Sequence, residues 1–380
     1  MSWLSDAIKV ADVLVGRPAC VGLGLLPRAR RRPAAPAEPR RILVIRPGGI
    51  GDAVLFIPML QHLRKVWPDV QIDLLAERRN AGVVTGTGLF AEVLLYDKFP
   101  GGLARALRGR YDLVIDTEQY HCLSAVVAFL TGAPRRVGFG TNVRRRMLTD
   151  ELPYDQEVYE VYSFLELARV ATGREPEWDP QKPFYPLNAQ ALDYAGRVLA
   201  PLGERPIVAI HPGASIPQRR WDPQRYAALA RMLAERGCGV VVLGAASDAA
   251  TAGLVERSLA GLPAVNVAGR CNLLQAAAIV SRVAVYISAD SGVLHLAYAV
   301  GTPTVHLFGP GVLSKWGPPG SRFRTIAAPV PCSPCTRYGY TPPCCQGVVC
   351  MERITPEQVL AAVELQLAGR DTPLRRTGQP

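Results

Sequence analysis

Asp290, Ser291 and Gly292, with His295 one turn later, carry more chemistry than a packing segment requires. They follow the apolar run "VAVYIS" and open a stretch with helical spacing that leads to "TVHLFGP". A strand–helix turn of this kind presents free backbone N–H groups and the positive end of a helix dipole, which together receive a phosphate. Gly292 removes the side chain that would block approach. His295 falls where it either orients a phosphate or ties the turn together by hydrogen bonding.

Three other turns have the same character. In "RPGGIGDAVLFIP", Gly48, Gly49 and Gly51 join a strand ending at Arg46 to a helix beginning near Asp52. Asp52 has two readings: a helix cap, or a general base turned to a ligand. The third glycine of a dinucleotide fingerprint would fall at Val54, and no Gly-Lys-Ser/Thr follows, so neither common nucleotide loop is present. In "HPGASIPQRRWDPQRY" a strand ends at His211, and Gly213, Ala214 and Ser215 make an open turn. Arg219 and Arg220 then either clamp a phosphate or form a solvated basic turn before a helix capped by Asp222. In "LGAASDAAT", Asp248 stands past a strand end, where an acid accepts from ribose hydroxyls or caps the next helix.

The elements that hold these turns alternate. From Arg41, "RILVIR", "QIDLLAE", "EVLLYD" and "DLVID" read as short strands with helical or irregular segments between them. The proline-rich "EPEWDPQKPFYPLNAQ" reads as a linker. The alternation restarts with "IVAIH", "GVVVLG", "AVNVAG", "VAVYIS" and "TVHLFG", and closes on a helix with Thr355 as cap, Pro356 at its first position and Gln358 completing a capping box. This predicts an α/β protein of two Rossmann-like, doubly wound domains, residues 41–185 and 186–368, with a cleft at the carboxyl ends of their strands.

Residues 1–40 and 369–380 lie outside that pattern. Trp3, Leu4, Ile8, Ala11, Val13 and Leu14 line one face of a short helix, and "RARRRPAAPAEPRR" follows. The readings are a mobile extension or a basic, amphipathic membrane contact. No apolar run reaches the roughly 18 residues that span a bilayer, and the N-terminus is a poor signal peptide, which predicts an intracellular protein. The 380 residues carry a formal charge of +11, nearly all from arginine. That balance reflects either codon usage or an anionic partner. Cys20, Cys122, Cys238 and Cys271 are scattered like buried thiols. Cys332, Cys335, Cys344, Cys345 and Cys350 are clustered, and read as a structural zinc site, as free thiols or as an oxidisable pair.

Taken in order, "RILVIRPGGIGDAVLFIPML", "HPGAS…QRRW", "LAGRCNLLQAAAIV" and "ISADSGVLHLAYAVGTPTVHLFGP" resemble the heptosyltransferase family, glycosyltransferase family 9, over roughly residues 41–365. The resemblance implies the GT-B fold and inverting transfer of a heptose-type sugar from a nucleotide diphosphate donor, ADP-heptose, to a lipopolysaccharide-core or related glycan. It makes Asp52 the base, with Gly49 and Gly51 on the acceptor side. It puts Ser215, Arg219, Asp248, Cys271, Asp290, Ser291, Gly292 and His295 on the donor. Arg219 stands where many members have lysine, which keeps the charge and changes the geometry. It implies no cofactor for catalysis, an anionic glycan or glycolipid acceptor, no nucleic acid, and peripheral contact with the cytoplasmic face of the inner membrane. Arg135, Arg136, Arg144, Arg145 and Arg146 would form a basic patch for a phosphorylated acceptor, or an ordinary solvated surface. The rival readings are a nucleotide-sugar epimerase and a non-catalytic nucleotide-sugar-binding protein.

Overall fold

The computed structural model describes residues 10–26, 36, 38–98 and 101–369. Trp3, Leu4, Ile8, most of the Pro/Arg-rich run and the tail beyond residue 369 lie outside the described residues. The chain forms two compact units, one of residues up to Asp179 with Ser314–Trp316, the other of Pro180–Leu313 and the chain from Gly317.

The first unit is built on β1 (Arg41–Arg46), β2 (Gln71–Ala76), β3 (Glu92–Leu95), β4 (Leu113–Asp116), β5 (Arg135–Phe139) and β6 (Asp150–Leu152). They form one sheet in the order β3-β2-β1-β4-β5-β6, and every pairing is parallel. The unbroken apolar runs of β1 and β4 follow from helices covering both faces, since a parallel strand has no wet side. Ile42, Leu43, Val44 and Ile115 are fully buried, each contributing roughly 1.5–3 kcal/mol.

The second unit repeats the plan with β7 (Ile207–His211), β8 (Gly239–Val242), β9 (Ala264–Asn266), β10 (Val285–Ala289), β11 (Thr304–Phe308) and β12 (Phe323–Ala327). Their order is β12-β11-β10-β7-β8-β9, the same winding out from the first strand in both directions. Trp221 packs edge-on to Tyr226 with ring centroids 4.8 Å apart, and its indole N–H donates to Ile354 O at 3.0 Å. The last helix, Pro356–Ala368, starts with the reciprocal Thr355–Gln358 bonds that the sequence predicts.

In a sheet wound this way the strand order reverses once, between the first and fourth strands, and the crevice there receives ligands. That point lies between β1 and β4 in the first unit and between β7 and β10 in the second. The "RPGGIGD" turn follows β1. The "HPGAS" and "ADSG" turns follow β7 and β10.

Candidate active site

At the first switch point Asp52 is the third residue of the helix Ile50–Leu55, whose cap is Gly49 with no side-chain cap bond. The capping reading of Asp52 is therefore corrected: Gly49 is the cap residue, and Asp52 lies in the first turn with its carboxylate beside Gly49 and no capping bond. Oδ1 lies 3.7 Å from Arg46 Nη2 and accepts from Gln119 Nε2 at 3.4 Å. A Cβ at Gly49 would sit 2.5 Å from Asp52 Oδ2, so a larger residue there would push that carboxylate aside. The Asp52 side chain keeps 16% exposure, which leaves it reachable by a substrate.

Arg46 is the buried anchor of this group. It donates to Pro47 O at 2.9 Å and Thr117 O at 2.8 Å, and faces Glu118 at 3.7 Å. Burial alone would loosen its proton, but Asp52, Glu118 and Glu160 outweigh that and hold the guanidinium charged. Glu118 resists burial in the same way, kept below its ordinary value mainly by Arg46. Gln119 also donates to Glu160 Oε1 at 2.6 Å, and Tyr154 donates to Glu160 Oε2 at 3.0 Å. Lys315 closes the network, with Nζ 2.7 Å from Glu160 Oε2 and donating to Ser163 Oγ at 2.9 Å. Burial, with Asp52 adding to it, still raises the Glu160 carboxyl against the pull of Lys315.

At the second switch point Arg219 Nη1 lies 2.8 Å from Asp290 Oδ2. Asp290 thereby holds the guanidinium beside the turn. Ser291 is the cap residue of the helix Gly292–Ala299. Its Oγ is 3.0 Å from Ser288 Oγ, and Ser288 Oγ is 3.3 Å from His211 Nδ1. His295 is buried, and burial pushes it down to about 4 against the opposing pull of Asp290. It is neutral at pH 7. Asp248 Oδ2 accepts from Ala245 N at 2.9 Å and lies 3.9 Å from His211 Nε2. It thus caps its turn while facing the strand end. A Cβ at Gly213 would meet its carboxylate at 2.4 Å, so a larger residue there would displace Asp248 from this position. Ser215 is exposed on the "HPGAS" turn. Cys271 is half-buried, its thiol 3.8 Å from Val267 O and pushed up to about 11 by burial.

The basic patch is corrected. Arg144 is fully buried and pairs with fully buried Asp116 at 2.5 Å. Arg136 is buried and donates to Met147 O and Ala133 O, both at 2.7 Å. Arg135 donates to the carbonyls of Val170 and Ala171, and Arg145 pairs with Glu151 at 2.6 Å. Arg135 and Arg136 open β5 and Arg144–Arg146 lie in the short 3-10 turn Val143–Met147; Arg145 and Arg146 are exposed and Arg135 is partly so. All five clustered cysteines are free thiols, with Cys350 buried and Cys335, Cys344 and Cys345 exposed. Among the described residues, no three His, Cys, Asp or Glu side chains are arranged to hold a metal ion.

Sequence reasoning passed over Arg46, Glu118, Gln119, Tyr154, Glu160, Lys315 and His306. Lys315 carried one signal, as one of only five lysines in the chain. His306 lies on β11 beside Ser288 of β10. Burial drives it down to about 3, and among the described residues neither ring nitrogen has a hydrogen-bond partner.

The family model described as glycosyltransferase family 9 (heptosyltransferase) matches residues 101–345. The chain is 28% identical over 313 residues to lipooligosaccharide heptosyltransferase 2 of Haemophilus influenzae, spanning 75% of this chain and 87% of that one. Among solved structures it is similar to Escherichia coli ADP-heptose lps heptosyltransferase II, with a TM-score of 0.68 and 25% identity over 87% of this chain and all of the other. A family 9 glycosyltransferase of Veillonella parvula has a TM-score of 0.69 at 20% identity, over 87% of this chain and 97% of that one, a likeness of fold.

Proposed function

This chain belongs to glycosyltransferase family 9, and from that premise we propose that it transfers a heptose from ADP-heptose to a sugar of a lipopolysaccharide core, with inversion at the anomeric carbon. The solved E. coli relative is named for ADP-heptose, which supports this donor. Asp52 takes the proton of an acceptor hydroxyl. The acceptor oxygen forms its bond to the anomeric carbon as the bond to the donor's phosphate oxygen breaks. The electron pair leaves on the nucleoside diphosphate. Arg219 and the N–H groups opening the helix Gly292–Ala299 meet that charge.

One observation carries the reading. A carboxylate held by Arg46 and Gln119, yet still reachable, stands at one switch point, and the other switch point carries an arginine beside an Asp-Ser-Gly turn. Arg46 and Gln119 act on Asp52 Oδ1 and leave the other oxygen to take the proton. Ser215, Asp248 and Cys271 belong to the donor's nucleoside and sugar in this reading, and Gly49 and Gly51 to the acceptor. Such an acceptor is lipid-borne, so the protein works at the cytoplasmic face of the inner membrane. No helix among the described residues is long and apolar enough to cross a membrane.

The test is incubation with ADP-heptose and a heptose-deficient lipopolysaccharide core, read by mass spectrometry and by anomeric NMR of the product. A core heavier by one heptose, with the anomeric configuration inverted, is expected. Isomerised donor without transfer would make the protein an epimerase, and tight nucleotide binding without turnover would make it a binding protein. Zinc at Cys332–Cys350 is tested separately by elemental analysis, where less than about a tenth of an equivalent in folded, active protein ends that idea.

A further inference from the structure

Before β1, residues 10–26 pack one face on the first unit and, among the described residues, leave another uncovered. Asp12–Gly16 winds as a wide π-type turn and continues as the α-helix Arg17–Leu23. Asp12, Gly16, Cys20 and Gly24 recur every fourth residue and share the inner face. Asp12 Oδ1 accepts from Cys122 N and Leu123 N, both at 2.7 Å, capping the helix Leu123–Leu130. Cys20 is buried with Cys122, Ala125, Phe129 and Met147. A Cβ on Gly16 would lie 3.1 Å from Leu123, and one on Gly24 would lie 2.7 Å from Arg146. Arg17 adds a bond to Tyr120 Oη at 2.9 Å. The segment is therefore fixed to the unit by Asp12, Cys20 and Arg17, with Gly16 and Gly24 allowing its close approach.

Among the described residues, nothing packs on the opposite side. Val10, Val13, Leu14, Val15, Val21, Leu25 and Leu26 are all exposed, Leu14 at 68% and Leu25 at 70%. They are half of the fourteen exposed large apolar side chains among the described residues, gathered in seventeen positions. Contiguous apolar exposure on this scale marks an interaction surface.

Charge says what covers it. The only acid between Val10 and Leu26 is Asp12, and it is buried. Arg17 and Arg146 are exposed beside the inner face. Read as sequence, the chain leaving the helix carries Arg28, Arg30, Arg31 and Arg32 before any acidic residue. An apolar face free of acids and followed by clustered arginines matches the interface of an anionic bilayer, where acyl chains lie beneath acidic headgroups.

We propose that the helical segment Asp12–Leu23, with Val10, Leu25 and Leu26 at its ends, docks the protein on an anionic lipid surface, lying in the plane of the interface. This docking is independent of which sugar is moved, so its test reads lipid binding and not transfer.

The experiment uses the full chain and sedimentation with sucrose-loaded vesicles. One set is a zwitterionic phospholipid with about a third phosphatidylglycerol, and the other is the zwitterionic lipid alone. The variant is the double substitution Leu14→Glu with Leu25→Glu, both at exposed positions, with far-UV circular dichroism checking the fold. The wild type should bind the anionic vesicles, lose binding on the zwitterionic set, and weaken as salt rises. The double variant should bind at least tenfold less. A second pair, Leu365→Glu with Tyr340→Glu, alters exposed apolar residues elsewhere and should bind like wild type. Three results would overturn the proposal: no binding by the wild type, equal binding by Leu14→Glu/Leu25→Glu, or a wild-type dimer in analytical ultracentrifugation that this variant converts to monomer. The last would mean that a second copy covers the face.

Discussion

The Arg46 guanidinium stands 3.7 Å from the Asp52 carboxylate with 4% of its side chain in solvent. A buried cation beside a reachable carboxylate holds that carboxylate in position. Asp52→Asn keeps the shape and removes the proton acceptor. It is expected to abolish transfer while donor affinity stays within a few fold, measured by product formation beside calorimetry with nucleoside diphosphate. Near-wild-type turnover would remove Asp52 from the mechanism.

In the proposed mechanism Arg219 and His295 bear on the donor. Hydrogen bonds to charged groups are worth about 1.5–3 kcal/mol, so Arg219→Ala and His295→Ala should each weaken nucleoside diphosphate binding by roughly 10- to 150-fold. Calorimetry with the diphosphate alone decides. Unchanged affinity in both variants would move the donor elsewhere.

Stability should fall in mild acid because of two histidines. His295 and His306 have folded values of about 4 and about 3, against an ordinary value near 6.5. Burial is the main cause in both, with Arg219 adding to it; Asp290 opposes it at His295. Below about pH 6.5 the unfolded chain binds protons that the folded chain refuses. Unfolding free energy therefore drops as pH falls, by up to about 1.4 kcal/mol per pH unit for each histidine, and levels off near the folded values. Above pH 6.5 neither contributes. His306→Leu should lower the slope between pH 6 and pH 4.5 by about one proton in urea titrations, and an unchanged slope would count against this assignment.

Lys315 and Glu160 form a buried pair, Nζ to Oε2 at 2.7 Å. Removing one partner of such a pair costs about 3–5 kcal/mol, whereas replacing both with apolar groups costs far less. Lys315→Met should therefore destabilise the protein by that amount in urea unfolding, and Glu160→Leu added to it should recover most of the loss. A single-variant cost under about 1 kcal/mol would show that solvent reaches the pair.

The sequence made the strands bearing the turns legible because their patterns are local. β1, β7 and β10 are near-continuous apolar runs, and each ends on a turn with its own glycine or serine. The GT-B fold and the family followed from four such stretches in order. β6 has three residues and β12 is only partly buried, so neither leaves a clear apolar pattern. The network around Asp52 was invisible for a different reason. Arg46, Gln119, Glu160 and Lys315 are scattered over 270 positions of chain, and nothing in the local pattern joins them. The Arg144 misreading has the same origin: a charged triplet looks solvated until Asp116, 28 residues away, meets it in the core.

The first unit is discontinuous, borrowing Ser314–Trp316 from the far half of the chain. That sets a rule for recombining this protein with its relatives. A chimera joined only at Asp179 would exchange Lys315 while retaining Glu160, so the incoming sequence must also supply a cation for that buried carboxylate. Crossovers that carry residues 314–316 with the N-terminal half preserve the pair, and libraries built from the linear boundary alone would discard sound N-terminal halves for want of one lysine.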